Sequence, residues 1–280
     1  MPEPIVISSG ASIALQPTDA CIAHGYGLFE SIRLKEGRLL LWSAHWQRLI
    51  ESAEALGFAC AGSEASALEA IGRLIATDGL QDAVIKLSLF RQSRGDQLYI
   101  YSRPAIQWPE SARLNWLPEH PLASTSPLAG HKTHNYMENT YLLGQARANG
   151  FDDYLRPASC GSLAETTVSN IFWIQDNSLY TPAKSLGILP GVVRTTILSL
   201  ATDLGITSRE GIYASESLLN ADACFLSNAA IGLLPVHSIC GGEFDFAFES
   251  AAHPLFQQLR DAVRREQERT ARRPPTPDAA

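Results

Sequence analysis

A chain of 280 residues, 45% apolar and 18% charged, has the make-up of a globular protein and is long enough for one large domain or two smaller ones. Its net charge of −7 gives no electrostatic reason to bind nucleic acid or an anionic membrane, so a phosphate-bearing ligand needs a local site of its own. Five cysteines, widely spaced and without a CxxC pair, argue for free thiols in a reducing compartment rather than a disulfide framework or a zinc site. The opening MPEPIVISSG has no basic segment leading into an apolar run, and no stretch reaches the roughly 20 apolar residues of a membrane span. A cytoplasmic protein is expected.

In chain order, residues 5–8 read as a short strand. HGYGLFESIRLKEGRLLLW, residues 24–42, predicts a β-hairpin with Lys35-Glu36-Gly37 as its turn and an apolar return over residues 39–42. In SAHWQRLIESAEALGF, Trp46, Leu49, Ile50, Ala53 and Leu56 recur at helical spacing, with Ser43 as the expected N-cap and Gly57 as the stop. A second helix is predicted over 65–76, then strands over 84–90, 97–103 and 112–117. Residues 118–130 are rich in Pro, Ser, Ala and Gly without periodicity and read as a linker. Beyond it come a helix over 135–149, strands over 154–158, 163–167, 170–175 and 178–181, and a helix opening after Gly191. A strand over 223–227 and a C-terminal helix over 253–272 complete the elements. The expected organisation is α+β in two domains: a smaller N-terminal domain over 1–119, an interdomain linker over 120–130, a larger C-terminal domain over 131–273, and a disordered tail over 274–280.

With only four lysines, each can be weighed as a catalytic amine. Lys35 lies in the hairpin turn and Lys184 in the loop TPAKS, both ordinary solvent positions, while Lys86 sits within a strand and could face either way. Lys132, flanked by His131 and His134 just before a helix, is the best candidate. A lysine amine can hold a carbonyl cofactor as a Schiff base, and a carboxylate such as Glu165 can hold a pyridinium nitrogen in its protonated form. His131 and His134 have no third ligand at a metal-site spacing, so no metal is expected.

Six segments occur in one order: YGLFESIR, HWQRL, KTHNY, LAETTVSNIF, LYTP followed by LPGVVR, and FLSNAAIGLLPV. Together they span residues 26–236 and resemble the class IV, fold-type-IV pyridoxal-phosphate enzymes, which include branched-chain and D-amino-acid aminotransferases and 4-amino-4-deoxychorismate lyases. The resemblance implies pyridoxal 5′-phosphate as cofactor, Lys132 as the Schiff-base lysine and proton-transfer base, Arg48 as a phosphate ligand and Glu165 opposite the ring nitrogen. It further implies cofactor contacts from Tyr136 to the ring oxygen, support from Asn170, phosphate binding by the backbone N–H groups of Val192 and Val193 at a helix start, and contacts from Asn228 and Ala229. Where this chain has Val193 the family often has Thr, so one hydroxyl contact is missing.

FLSNAAIGLLPV, SAHWQRL and the 33-position spacing from Lys132 to Glu165 resemble the lyase branch, whereas Tyr136, Glu30 and Arg33 look at least as much like aminotransferases. The implied reaction is conversion of 4-amino-4-deoxychorismate to 4-aminobenzoate and pyruvate, in folate biosynthesis. The alternatives are an aminotransferase for branched-chain or D-amino acids and a silent binding protein that has lost the cofactor. Arg91, Arg94 and Arg103 are candidates for a substrate carboxylate, and the resemblance implies a homodimer acting on a small-molecule substrate.

Overall fold

The computed structural model describes residues 4–7, 13, 15–59, 62–242 and 244–275. Ser8 of the first predicted strand, Cys60 and residues 276–280 of the predicted tail lie outside them. The chain forms two compact units: Met1–Gln107, His131–Asn135 and Gln267–Ala280 make the first, and Trp108–Gly130 with Tyr136–Glu266 the second.

In the first unit the elements are β1 (Ile5–Ile7), α1 (Ala20–Ala23), β2 (Gly27–Lys35), β3 (Arg38–Leu39), α2 (Trp42–Ala55), α3 (Glu64–Asp78), β4 (Ala83–Gln92) and β5 (Gly95–Arg103). Its sheet has the order β1-β5-β4-β2-β3. Strand alternation sends Leu28, Ile32, Leu34, Ile85, Leu87, Leu89, Leu98 and Ile100 to one face, where they are buried with Trp46, Leu49 and Ala53 of α2 and Ala67, Ile71 and Leu74 of α3. The opposite face carries Phe29, Ser31, Lys86, Ser88 and Tyr101, which stand across from one another in the β2–β4–β5 register.

The hairpin return is shorter than predicted. β3 ends at Leu39, Leu40 N–H donates to Arg33 C=O at 2.9 Å, and α2 already begins at Trp42. Leu41, in the left-handed region at φ 53, takes the N-cap position expected of Ser43. The end of α2 agrees with the sequence, with Gly57 at φ +68 beyond the last turn.

The second unit contains β6 (Ala112–Trp116), α4 (Met137–Ala148), β7 (Asp153–Pro157), β8 (Leu163–Thr166), β9 (Asn170–Gln175), β10 (Ser178–Pro182), α5 (Val192–Asp203), β11 (Ser208–Gly211), β12 (Ala223–Asn228), β13 (Gly232–Gly241), β14 (Phe244–Ala247) and α6 (Pro254–Arg269), whose last residues, from Gln267, belong to the first unit. Its strands run β11-β10-β9-β12-β13-β6-β7-β8, and β8 pairs again with β9. Six strands therefore close into a ring, with β10 and β11 as an extension, and β8 and β9 meet at the pair Glu165↔Asn170.

The division of the chain differs from the predicted 1–119, 120–130 and 131–273. β6 lies in parallel between β7 and β13, which places the chain from Trp108 in the second unit. Residues 120–130 are part of that unit rather than a linker: Leu122 N–H donates to Pro157 C=O at 2.8 Å and Leu122 bridges Ala158. His131–Asn135 returns to the first unit because Thr133 bridges Leu28, with Phe29 N–H donating to Lys132 C=O at 2.9 Å and His134 N–H to Gly27 C=O at 2.8 Å.

The tail is ordered further than its composition suggests. Leu39 and Arg272 exchange two backbone hydrogen bonds of 2.8 and 2.9 Å, and Pro274 is buried. The Pro275 carbonyl lies where a side chain on Gly72 would be, 1.9 Å from an ideal Cβ, so this helical glycine is required by close packing. The four described cysteines, Cys21, Cys160, Cys224 and Cys240, are free thiols. Among the described residues no helix is long and apolar enough to cross a membrane.

Candidate active site

The predicted site residues fall into two groups, one in each unit. In the first, residues 131–135 run beside β2. Because Thr133 pairs with Leu28, Lys132 and His134 emerge on the opposite face, beside Phe29. Lys132 Nζ stands 4.5 Å from the centroid of the Phe29 ring, and the His134 ring is 5.1 Å from Phe29 and 4.6 Å from Phe90. His134 Nε2 is 3.2 Å from Ser88 Oγ, and His131 Nδ1 is 3.0 Å from Ser52 Oγ, so both histidines have local partners. Among the described residues no cluster of His, Cys, Asp and Glu could hold a metal ion.

Lys86 shares the Phe29 ring. Its Nζ lies 3.5 Å from the ring centroid and donates to Ser31 Oγ at 3.1 Å, while its side chain is only 9% exposed. Burial, with Lys132 and Arg103 adding like charge, pushes the Lys86 amine down to about 6. Burial, with Lys86 and Lys132 nearby, pushes His134 down to about 4, so its ring is neutral at neutral pH. Since an unfolded lysine titrates near ~10.4, the stability tied to a depressed Lys86 is present above that pH and is lost as pH falls toward about 6. Lys86→Met should therefore gain on wild type in urea midpoint as pH is lowered from ~10 to ~6, and a constant difference across that window would contradict the burial of a neutral amine.

Arg48 of α2 reaches Glu30 of β2. Its Nε and Nη2 donate to Glu30 Oε1 and Oε2 at 2.8 and 2.7 Å, and His45 Nδ1 lies 2.7 Å from Glu30 Oε2. Burial raises the Glu30 carboxyl, but the Arg48 charge and the His45 hydrogen bond outweigh it and hold Glu30 well below the ordinary carboxylate range. Burial pushes His45 down, which leaves a neutral ring whose Nδ1–H donates to the carboxylate. Glu30 and His45 thus fix the Arg48 guanidinium, a role the sequence reading did not give them. The signal was present: Glu30 interrupts the alternating Leu28, Ile32, Leu34 series that points into the core, and a buried carboxylate needs a cationic partner. Of the arginines considered for a substrate carboxylate, Arg91 is already held by Asp96, at 2.9 and 3.0 Å, and by Gly57 C=O. Arg94 is exposed, and Arg103 lines an 830 Å³ cavity with Phe90, Tyr99 and Tyr101.

In the second unit, Glu165 of β8 pairs with Asn170 at the start of β9. Asn170 Nδ2 donates to Glu165 Oε2 at 2.8 Å and to Leu189 C=O at 2.9 Å, and Leu189 N–H lies 3.2 Å from each Glu165 oxygen. The intervening turn is gripped from three sides. Asp153 accepts from Thr167 Oγ1 and N–H at 2.5 and 3.2 Å, Tyr136 OH and Asn139 Nδ2 donate to Thr167 C=O at 3.2 and 2.5 Å, and Asn228 Nδ2 donates to Ser169 Oγ at 2.9 Å. Burial raises the Asp153 carboxyl. Asn228 Oδ1 accepts from the N–H groups of Ala230 and Ile231, so its side chain shapes the turn that contains Ala229.

Helix α5 begins at Val192 with Gly191 as N-cap and no side-chain cap. An uncapped first turn presenting the N–H groups of Val192 and Val193 is suited to an anion. An ideal Cβ on Gly191 would come 2.2 Å from Asn170 Oδ1, so glycine lets the helix start approach the Glu165–Asn170 pair. Gly191→Ala should cost about 1–3 kcal/mol of stability through this overlap, read as a lowered urea midpoint; an unchanged midpoint would show that Asn170 is not fixed.

Each unit carries groups of the kind that pyridoxal phosphate needs: in the first an amine beside an aromatic ring and an arginine fork on a buried anion, in the second a hydrogen-bonded carboxylate and an open helix start. The chain belongs to the class IV aminotransferases, whose family model matches residues 27–239. The family is pyridoxal phosphate dependent, and its solved members have the fold-type-IV architecture. Among curated relatives, the aminodeoxychorismate lyase of Bacillus subtilis is 28% identical over 240 residues, covering 80% of this chain and 81% of the relative. The branched-chain-amino-acid aminotransferase of Escherichia coli is 27% identical over 241 residues, covering 78% and 77%. A Legionella pneumophila structure, provisionally named a 4-amino-4-deoxychorismate lyase, superposes with a TM-score of 0.86 at 28% identity, over 94% of this chain and 99% of that one.

Proposed function

We propose that the protein is a pyridoxal 5′-phosphate-dependent lyase that converts 4-amino-4-deoxychorismate to 4-aminobenzoate and pyruvate, serving folate biosynthesis. The observation that carries this reading is the likeness to the Legionella structure across 99% of that chain, and the segment FLSNAAIGLLPV supports it. A homodimer and a cytoplasmic location belong to the same proposal.

Bound pyridoxal 5′-phosphate supplies an aldehyde for the substrate amine and a ring that accepts electrons from the α-carbon. Lys132 would be the amine that holds the cofactor aldehyde and the base for the substrate α-proton. Glu165, oriented by Asn170 and Leu189 N–H, holds a proton at the ring nitrogen. Arg48, oriented by Glu30, binds phosphate, as do the N–H groups of Val192 and Val193. Tyr136, held at the Thr167 carbonyl, would serve the ring oxygen, and Ala229, in the turn shaped by Asn228, would help hold the cofactor. Loss of the α-proton would be followed by breaking of the bond between the neighbouring ring carbon and the ether oxygen; the electrons of the lost C–H bond complete the aromatic ring, and the enolpyruvate that leaves takes up a proton to become pyruvate.

An aminotransferase for branched-chain or D-amino acids is the second reading, supported by the Escherichia coli relative at nearly the same identity. The two differ in what they require. A lyase releases pyruvate catalytically from 4-amino-4-deoxychorismate made in situ, with no keto acid present. Absence of pyruvate, with amino-group transfer from an amino acid to a keto acid, would replace the lyase by the aminotransferase.

A further inference from the structure

Four polar residues stand abreast across the second sheet. In the β7–β8–β9–β12 register, Arg156 pairs with Glu165, Glu165 with Asn170, and Asn170 with Ser227. Residues directly opposite in antiparallel strands share a face, with Cβ atoms roughly 4.5–5.5 Å apart. One row therefore crosses four strands, with the Glu165 carboxylate at its centre.

Arg156 is the anomalous member. It is fully buried, yet it carries a permanent charge. Its Nε donates to His120 C=O at 2.7 Å, its Nη2 to Pro121 C=O at 3.2 Å and to Glu138 Oε1 at 2.8 Å, while Nη1 is buried without a hydrogen-bond partner. Glu138 is 58% exposed, so water screens much of its charge, and it compensates a fully buried guanidinium poorly. The remaining carboxylate in register is Glu165.

We propose that Arg156 is a positioning residue for Glu165: its buried positive charge, set directly across the β7–β8 ladder, holds the Glu165 carboxylate in place as an anion. The significance of this pair for catalysis rests on the cofactor role proposed for Glu165, but the pairing itself does not. Asn170 and Leu189 N–H fix the direction of the carboxylate by hydrogen bonds, and Arg156 supplies the charge that favours its ionised form. An anionic Glu165 is what a protonated ring nitrogen requires as partner.

The test is a double-mutant cycle in the full-length chain with Arg156→Met, Glu165→Gln and both together, read in two ways. In protein without added cofactor, Arg156→Met should lower the urea midpoint in the Glu165 background and lower it by less than about half as much in Glu165→Gln. With pyridoxal 5′-phosphate titrated by absorbance, Arg156→Met should weaken binding roughly tenfold beside Glu165 and less than about twofold beside Gln. Arg156→Lys, which keeps the charge and loses the fork, should retain affinity within about threefold of wild type. Equal losses in both backgrounds, or an Arg156→Lys as weak as Arg156→Met, would overturn the proposal and leave Arg156 a brace for the His120–Pro121 carbonyls. Should Arg156→Met fail to fold, Arg156→Gln carries the same cycle. A wild-type protein that binds no pyridoxal 5′-phosphate would defeat the proposed function, while the midpoints would still decide the coupling.

Discussion

Lys132→Ala is expected to lower turnover by roughly 10³-fold or more, because in the proposed mechanism it removes both the amine that holds the cofactor aldehyde and the base for the α-proton. Lys86 also stands on that face, with its amine pushed down to about 6 by burial, but its place makes it a poor substitute. It is 9% exposed and is fixed to Ser31 Oγ, whereas Lys132 is carried by a segment that residues of β2 hold by backbone hydrogen bonds to Lys132 C=O and from His134 N–H. The rate constant for product release in Lys132→Ala, compared with wild type and with Lys86→Met, checks this. Wild-type turnover in Lys132→Ala would remove the central assignment, and loss confined to Lys86→Met would transfer it to Lys86.

Glu165→Gln should slow turnover by about 10²–10⁴-fold while cofactor remains bound. Two effects combine. The amide cannot favour a proton on the ring nitrogen as an anion does. Its NH₂ group also faces donors, since Asn170 Nδ2 and Leu189 N–H both point at the Glu165 oxygens, so one contact is lost as well. Single-turnover rates with cofactor occupancy followed by absorbance separate the two contributions. An unchanged rate would mean that this carboxylate has no part in the chemistry.

Much of the architecture was legible because it is written in local periodicity. The alternation of 84–90 and 97–103 gives β4 and β5, and the helical spacing of Trp46, Leu49 and Ala53 gives α2. β11 and β14 were not read, because four-residue strands such as SREG and FDFA are too short to show a period. The domain boundary was misplaced for a physical reason: a Pro- and Ser-rich stretch looks like a linker, yet Leu122 is tied to β7 by a non-local hydrogen bond that composition cannot reveal. The tail failed in the same way, since Pro274 and Pro275 pack on α3 only because Gly72 leaves room for them.

The site was legible as far as ordered motifs go. Lys132 and Glu165 stood out through residue type and context, but the Glu30–His45–Arg48 triad, the Asp153 grip on Thr167 and the Arg156–Glu165 register depend on partners 9 to 18 positions away or on strand pairing. Such pairs are set by the fold: the break that Glu30 makes in the alternation of β2 signals a buried carboxylate, but not which residues meet it.

The most direct test is to load the purified chain with pyridoxal 5′-phosphate, reduce it with borohydride and map the modified peptide by mass spectrometry. Reduction fixes the cofactor to whichever amine holds it. The pyridoxyl group should appear on Lys132 and be lost in Lys132→Ala. Its appearance on Lys86, or on no lysine at all, would contradict the assignment of Lys132 as the cofactor-binding amine.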